Sequence, residues 1–371
     1  MGVASVLGTA ASRARTAGRT RPPGALVDRR TPSATPALVT VVVEDGRPPV
    51  VDVAGYADLA ERVAATATTP VHLCSAAKAV TAVGVLRLAG RRVLDLDADV
   101  RALVPLDVPG RTGPTLRQLL GHRGGIIDPP GAFEPATGRV PPTADVLAGT
   151  TAAHVGPVRV TAEPGSGFAY SDAGYCVVER AVEVATGESF ADVLHREVVA
   201  PLGLASTGFW AGEAAAQVRG PRAAVVARLA GSAAAGHHAD GRRVAGTRAH
   251  YAGLAASGLW ASAADLAVLL DDVGRALDGR GGVLLDADQG AALVRDPRGL
   301  GVGLGVFPFG APGRPCVMTQ GWGVGFQCQL RWYPAAGGAV AVVVAADPGV
   351  GQDESVVGTT VAAVADGRGW R

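Results

Sequence analysis

Ser75 and Lys78 stand three residues apart in Cys74-Ser75-Ala76-Ala77-Lys78, where a stretch that reads as helix begins at Ser75 and runs to a stop at Gly90. At that spacing the hydroxyl and the amine share one helix face and can meet. The Ser75 backbone N–H points outward from the helix start, where a developing oxyanion is stabilised. A neutral lysine can take the serine proton and so activate a nucleophile that is weak at its free pKa. Desolvation lowers a lysine pKa and makes that role available. An exposed Ser and Lys on a surface helix produce the same pattern, and Ser-x-x-Lys is common by chance. What singles out this pair is composition: Lys78 is the only lysine among the 34 Lys and Arg residues, and the chain has no asparagine. A drift of that kind turns surface lysines into arginines at little cost. It cannot do so where the side chain must lose its proton, because guanidinium stays charged.

The remaining composition narrows the function classes. With 371 residues, 48% hydrophobic and 18% charged, the chain can bury a large core, as one large domain or two interleaved subdomains. A net charge of +1 without a basic stripe argues against nucleic acid and against an anionic membrane surface as partner. No apolar run approaches the ~18 residues of a membrane helix. The first residues are apolar (Val3 to Ala11) and then basic (Arg13, Arg15, Arg19, Arg21), the reverse of a secretory signal, which points to a cytoplasmic protein. Cys74, Cys176, Cys316 and Cys328 lack Cys-x-x-Cys spacing and read as small buried residues. His237-His238 has no third ligand at metal spacing, so no metal is expected. The glycines from Gly299 to Gly305 lack the strand-then-helix setting of a nucleotide loop and read as a bend before a strand, so no cofactor is expected either. No serine sits in Gly-x-Ser-x-Gly, which removes the α/β-hydrolase reading. His122 reads as a satisfied core histidine.

These candidates need elements to hold them. Residues 1–35, rich in Arg, Thr, Pro and Ala, read as a flexible lead-in. Ala37–Val43 and Pro49–Ala54 read as paired strands. Helices are expected at Leu116–Leu120, Tyr175–Ala185, Phe190–Val199, Ala263–Leu277 and 354–364, and strands at Val302–Phe307, Phe326–Tyr333 and Ala339–Ala346. Strands at both ends of a helical middle predict a sheet assembled from the two termini.

Several segments, in order, resemble one family. Leu73–Leu86 (LCSAAKAVTAVGVL) is similar to the nucleophile helix of the serine β-lactamase and penicillin-binding-protein superfamily, in its class C-like branch of esterases, D-amino peptidases and acyltransferases. Arg91–Pro105, Thr115–His122 (TLRQLLGH), Pro164–Tyr175 (PGSGFAYSDAGY), Pro201–Gly208 and Gly258–Leu266 resemble further segments of that family. The resemblance implies an α/β fold, a β-lactamase-like sandwich of an antiparallel sheet flanked by helices, plus an all-helical subdomain. The single domain would span 36–371, its α/β part at about 36–95 and 255–371 and its helical insertion at about 96–254.

By motif position the resemblance makes Ser75 the nucleophile, Lys78 its activating partner and Tyr170 the second proton-transfer residue; without it, Tyr170 reads as a half-buried tyrosine with its hydroxyl satisfied. Asp172 stands where the family usually has Asn, and an ionised Asp accepts but cannot donate. An Asp there can pair with the Lys78 ammonium and oppose its use as a base. Thr319-Gln320-Gly321-Trp322 is the best match to the third family motif, with Thr319 in place of the usual cation and Arg314 as a candidate substitute. The backbone N–H groups of Ser75 and Trp322 would form the oxyanion hole. The expected activity is acyl transfer through acyl-Ser75, most simply hydrolysis of a small ester or amide. A transacylase passing the acyl group to an amine or alcohol, as in natural-product biosynthesis, and a silent binding protein on the same fold are the alternatives.

Overall fold

The computed structural model describes residues 35–371 apart from 132, 134, 137, 138, 152–155 and 312; the expected lead-in thus lies outside the described residues but for Thr35. Six strands form the main sheet: β1 (Leu38–Glu44), β2 (Val50–Ala54), β3 (Phe307–Ala311), β4 (Arg314–Gly323), β5 (Phe326–Tyr333) and β6 (Gly338–Val344). Their order is β2-β1-β6-β5-β4-β3, with every neighbouring pair antiparallel. The sheet does join the chain's two ends, since Leu38 of β1 lies opposite Val344 of β6 and Glu44 opposite Gly338.

The unbroken β-branched runs at the sheet centre have a simple cause: both faces are covered. Val39, Val41 and Val43, with Ala339, Ala341 and Val343, enter the core that also holds helix α1 (Ala77–Gly90) and helix α3 (Ala263–Leu277). Val42, Val340, Val342 and Val344 face the other way, onto Val357, Val361 and Val364 of the C-terminal helix α4 (Val356–Gly367). Helix α2 (Asp172–Thr186), buried through Tyr175 to Val178, is the spine of the middle region. That region also holds Leu116–Leu120, Thr143–Ala148, Phe190–Leu194 (continued by a π turn, His195–Val199) and Ala223–Ser232.

The structure departs from the sequence reading in three places. The middle region is not all-helical, because its two-residue strand Gly208–Phe209 pairs with Leu259–Ala261, which in turn pairs with Val71–His72. Residues 302–306 are not strand: Gly301 and Gly305 adopt left-handed φ of +71° and +68°, the Gly301 N–H is taken by Asp296, and the Gly305 N–H by the Leu120 carbonyl. Ser75 lies not in the first turn of α1 but in a single 3-10 turn, Cys74–Ala76, ahead of it. All four cysteines are buried and unbridged. No helix among the described residues is long and apolar enough to cross a membrane.

Candidate active site

The turn that presents Ser75 is strained and tightly held. Leu73 donates its N–H to the Leu259 carbonyl, and Cys74 then takes φ of +48°, a left-handed conformation rare for a residue other than glycine. Such a residue persists only where its surroundings over-determine it. Here the Cys74 side chain is buried, with its Sγ 3.4 Å from His72 Nδ1, while the Cys328 thiol donates to the Leu73 carbonyl at 3.1 Å. Strand β4 presses on the same turn through Gly321. A Cβ at that position would fall 2.1 Å from the Leu73 carbonyl oxygen and 2.9 Å from Cys74 Cβ, so only glycine allows this approach.

Lys78, 2% exposed, donates to Ser75 Oγ at 3.2 Å and to the Ala256 carbonyl at 3.0 Å, and its Nζ lies 2.5 Å from Asp172 Oδ1. Burial by itself would push the amine down. Asp172 above all, with Tyr170, more than reverses that, and the net displacement is upward. The Tyr170 hydroxyl lies beside both Lys78 and Ser75, and Nζ sits 4.8 Å from its ring centre. Burial pushes the phenol up, Lys78 pulls it down and Asp172 pushes it up again, for a net upward displacement. The resting site therefore holds an ammonium and a phenol.

Residues that the sequence reading did not single out fix this geometry. Asp128 accepts from the Ser171 hydroxyl (2.9 Å) and from the N–H groups of Asp172 (2.9 Å) and Ala173 (2.8 Å), which anchors the start of α2 and sets a second carboxylate behind Asp172. No local pattern marks Asp128, which lies 44 residues from Asp172. Glu179, buried on α2, accepts from the Ala255 N–H at 2.8 Å and from the Thr143 hydroxyl. It thereby holds the short turn Leu254–Ser257 whose Ala256 carbonyl binds Lys78. Burial pushes its carboxyl up to about 7. A glutamate between Val178 and Ala181 on an apolar helix face was a visible signal.

His122 is a core histidine with a further task. Its Nδ1 accepts from the Ser171 N–H at 3.2 Å, its carbonyl accepts from the Ala169 N–H at 2.8 Å, and its ring stacks on Tyr170 at 4.3 Å. Burial, aided by Lys78, pushes it well below the usual histidine range, so it is neutral and clamps Tyr170 from both sides and above. The His122 Nε2 is buried without a described partner, whereas His237 uses both ring nitrogens, with Nε2 accepting from the Leu59 N–H at 3.3 Å and Nδ1 2.8 Å from the Ala345 carbonyl. Among the described residues, no three His, Cys, Asp or Glu side chains are placed to hold a metal.

The cleft above Ser75 measures about 310 Å³ and is lined by Lys78, Tyr170, Phe307, Thr319, Gln320 and Trp322 among others, a volume suited to a small ligand. Thr319 is buried in its wall. Gln320 accepts from Gln329 Nε2 at 3.2 Å, and the half-exposed Trp322 donates its Nε1–H to Asp347 at 2.8 Å. Gly321 backs the cleft from behind, and Asp172 reaches it only through Lys78. Arg314 lies outside: it stands five residues back along β4, roughly 17 Å away at ~3.3 Å per residue, and donates to the Arg371 carbonyl. The candidate substitute cation is thus at the wrong end of the strand. The structure brings Ser75, Lys78, Tyr170, Asp172, Thr319, Gln320 and Trp322 to one place.

Comparison with known proteins places this arrangement. The family model described as Beta-lactamase matches residues 25–365. A D-aminopeptidase of Brucella anthropi is 28% identical over 180 residues, 46% of this chain but 32% of that protein, so the matched region spans about a third of the curated relative. The penicillin binding protein from Bacillus halodurans superposes with a TM-score of 0.68 at 18% identity, covering 89% of this chain and 94% of that one. The D-amino acid amidase from Ochrobactrum anthropi SV3, complexed with L-phenylalanine amide, gives 0.68 at 21% identity, covering 88% and 91%. The antiparallel sheet flanked by helices is shared with these structures, and the family model spans nearly all of this sequence: the chain belongs to the β-lactamase family.

Proposed function

We propose that the protein is a serine hydrolase that cleaves small amides or esters through an acyl-Ser75 intermediate. The observation that carries this reading is the Lys78–Ser75 hydrogen bond with Tyr170 beside it at the floor of a cleft. Ser75 Oγ attacks the carbonyl carbon while its proton passes to the Lys78–Tyr170 pair, which must first have lost one proton. The oxyanion so formed is met by the backbone N–H groups of Ser75 and Trp322. Collapse breaks the C–N or C–O bond, and the same pair returns the proton to the departing amine or alcohol. Water then attacks the acyl ester along the reverse path.

The substrate class follows from charge. Lys78 is spent on Asp172, Ser75 and Ala256, and among the described residues no arginine lines the cleft. Thr319 offers a hydroxyl where a cation would hold a substrate carboxylate. We infer an acyl donor without a carboxylate beside the scissile bond; amino acid amides, as in the relatives' names, meet that requirement. Turnover of phenylalanine amide and p-nitrophenyl acetate should exceed that of benzylpenicillin by at least ~100-fold in kcat/KM, a difference on the scale of one lost charge-assisted contact. Preference for the penicillin would overturn the reading. Added amines or alcohols should leave the rate of acyl-enzyme breakdown unchanged; acceleration would favour the transacylase.

A further inference from the structure

Away from the catalytic cleft, one side chain is buried with its charge unanswered by any described residue. Arg123 is 6% exposed, its Nε is sealed from solvent without an acceptor, and no ion pair or side-chain hydrogen bond joins it to any described residue. A buried guanidinium without a partner is strongly unfavourable. It lines a cavity of about 320 Å³ whose wall also carries Arg117, Arg295, Asp97 and Leu304. Asp97 is occupied: it takes two bonds from Arg117, at 2.7 and 2.8 Å. Asp95, the next carboxylate, accepts the Asp97 N–H outside this wall. Arg123 and Arg295 are left with no bonded counter-ion on the cavity surface.

We propose that this cavity binds a small organic phosphate, held between the Arg123 and Arg295 guanidiniums with the Arg117–Asp97 pair as its fixed wall. The Nη groups of Arg123 and the guanidinium of Arg295, which also faces Asp97, match a dianionic phosphate oxygen set, which each can engage bidentately, better than a single carboxylate. The volume exceeds what a lone ion fills and admits the organic part of the ligand. The site is separate from the proposed hydrolase cleft, and neither rests on the other. Leu304 faces this cavity and its neighbour Gly305 lines the catalytic one, so a single turn of chain divides them.

Calorimetric titration and thermal unfolding with inorganic pyrophosphate and inorganic phosphate test the proposal. Wild-type protein should bind pyrophosphate with Kd at or below ~1 mM and gain Tm with concentration. Arg123→Met should weaken binding at least ~10-fold while the ligand-free protein keeps or raises its Tm, because an unpaired buried charge is gone. Arg295→Ala, at the exposed rim, should weaken binding ~10-fold with the ligand-free Tm unchanged, which keeps the test valid should the first variant fold poorly. No pyrophosphate-dependent heat or Tm change up to ~10 mM, or undiminished affinity in Arg295→Ala, overturns it.

Discussion

Replacing Asp172 by asparagine removes one charge and leaves the shape of the site intact. The Asp172 carboxylate lies 2.5 Å from Lys78 Nζ, with the lysine side chain 3% and the aspartate side chain 21% exposed. At an effective dielectric of about 20 the gross attraction at that distance is roughly 6–7 kcal/mol. Partial solvent access and the surviving amide acceptor reduce the net effect to the ~1–3 pH units usual for a close opposite charge, or about 1.4–4 kcal/mol. The sign is the same for either proton acceptor. Asp172 pushes both the Lys78 amine and the Tyr170 phenol upward. A base with a raised pKa works above that pKa and fails as pH falls through it. Asp172→Asn should therefore move the acidic limb of the kcat/KM profile to lower pH by ~1–3 units, raising activity near neutrality by ~10- to 1,000-fold. The assay is hydrolysis of p-nitrophenyl acetate from about pH 5 to 10, with circular dichroism to show that both proteins stay folded. An acidic limb that stays put, or moves upward, refutes the electrostatic argument.

Two further substitutions probe the frame. Gly321→Ala sets a methyl group 2.1 Å from the Leu73 carbonyl oxygen, so β4 must shift from the Cys74–Ala76 turn; stability should fall by about 1–3 kcal/mol in urea titrations, and kcat by ~100-fold in protein still folded at 25 °C. Retention of full kcat would show that the close strand is not part of the oxyanion site. Glu179 is protonated more readily folded than unfolded, its carboxyl rising from 4.5 to about 7. Its contribution is thus intact below pH 4.5 and lost as pH rises through 7, by about 3 kcal/mol. The stability of Glu179→Gln relative to wild type should rise by that amount between about pH 4.5 and 8, and a constant difference would contradict the assignment.

What the sequence made legible was local or compositional. Ser75 and Lys78 meet because three residues separate them near a helix start, and the loss of every other lysine drew attention to one that arginine could not replace. Tyr170-Ser171-Asp172 was placed by the resemblance of Pro164–Tyr175 to a family segment, while the helix that Ser171 caps was expected only from Tyr175 and begins at Asp172. Long-range placement was less legible. Asp128 acts on α2 from a loop far upstream, Arg314 sits on the right strand at the wrong end, and the bend expected of Gly299–Gly305 delays the strand start from Val302 to Phe307. The charge of Lys78 likewise depends on a carboxylate 94 residues away, which only the folded chain sets at 2.5 Å.

The central claim is that Ser75 carries the acyl group. Intact-mass spectrometry after rapid mixing with p-nitrophenyl acetate tests it most directly, with peptide mapping to locate the adduct and Ser75→Ala as the blank. The account predicts one acetyl group per chain, on Ser75, that decays in water and is absent from Ser75→Ala. A protein that turns over the ester with no adduct, or that is labelled equally in Ser75→Ala, would contradict it.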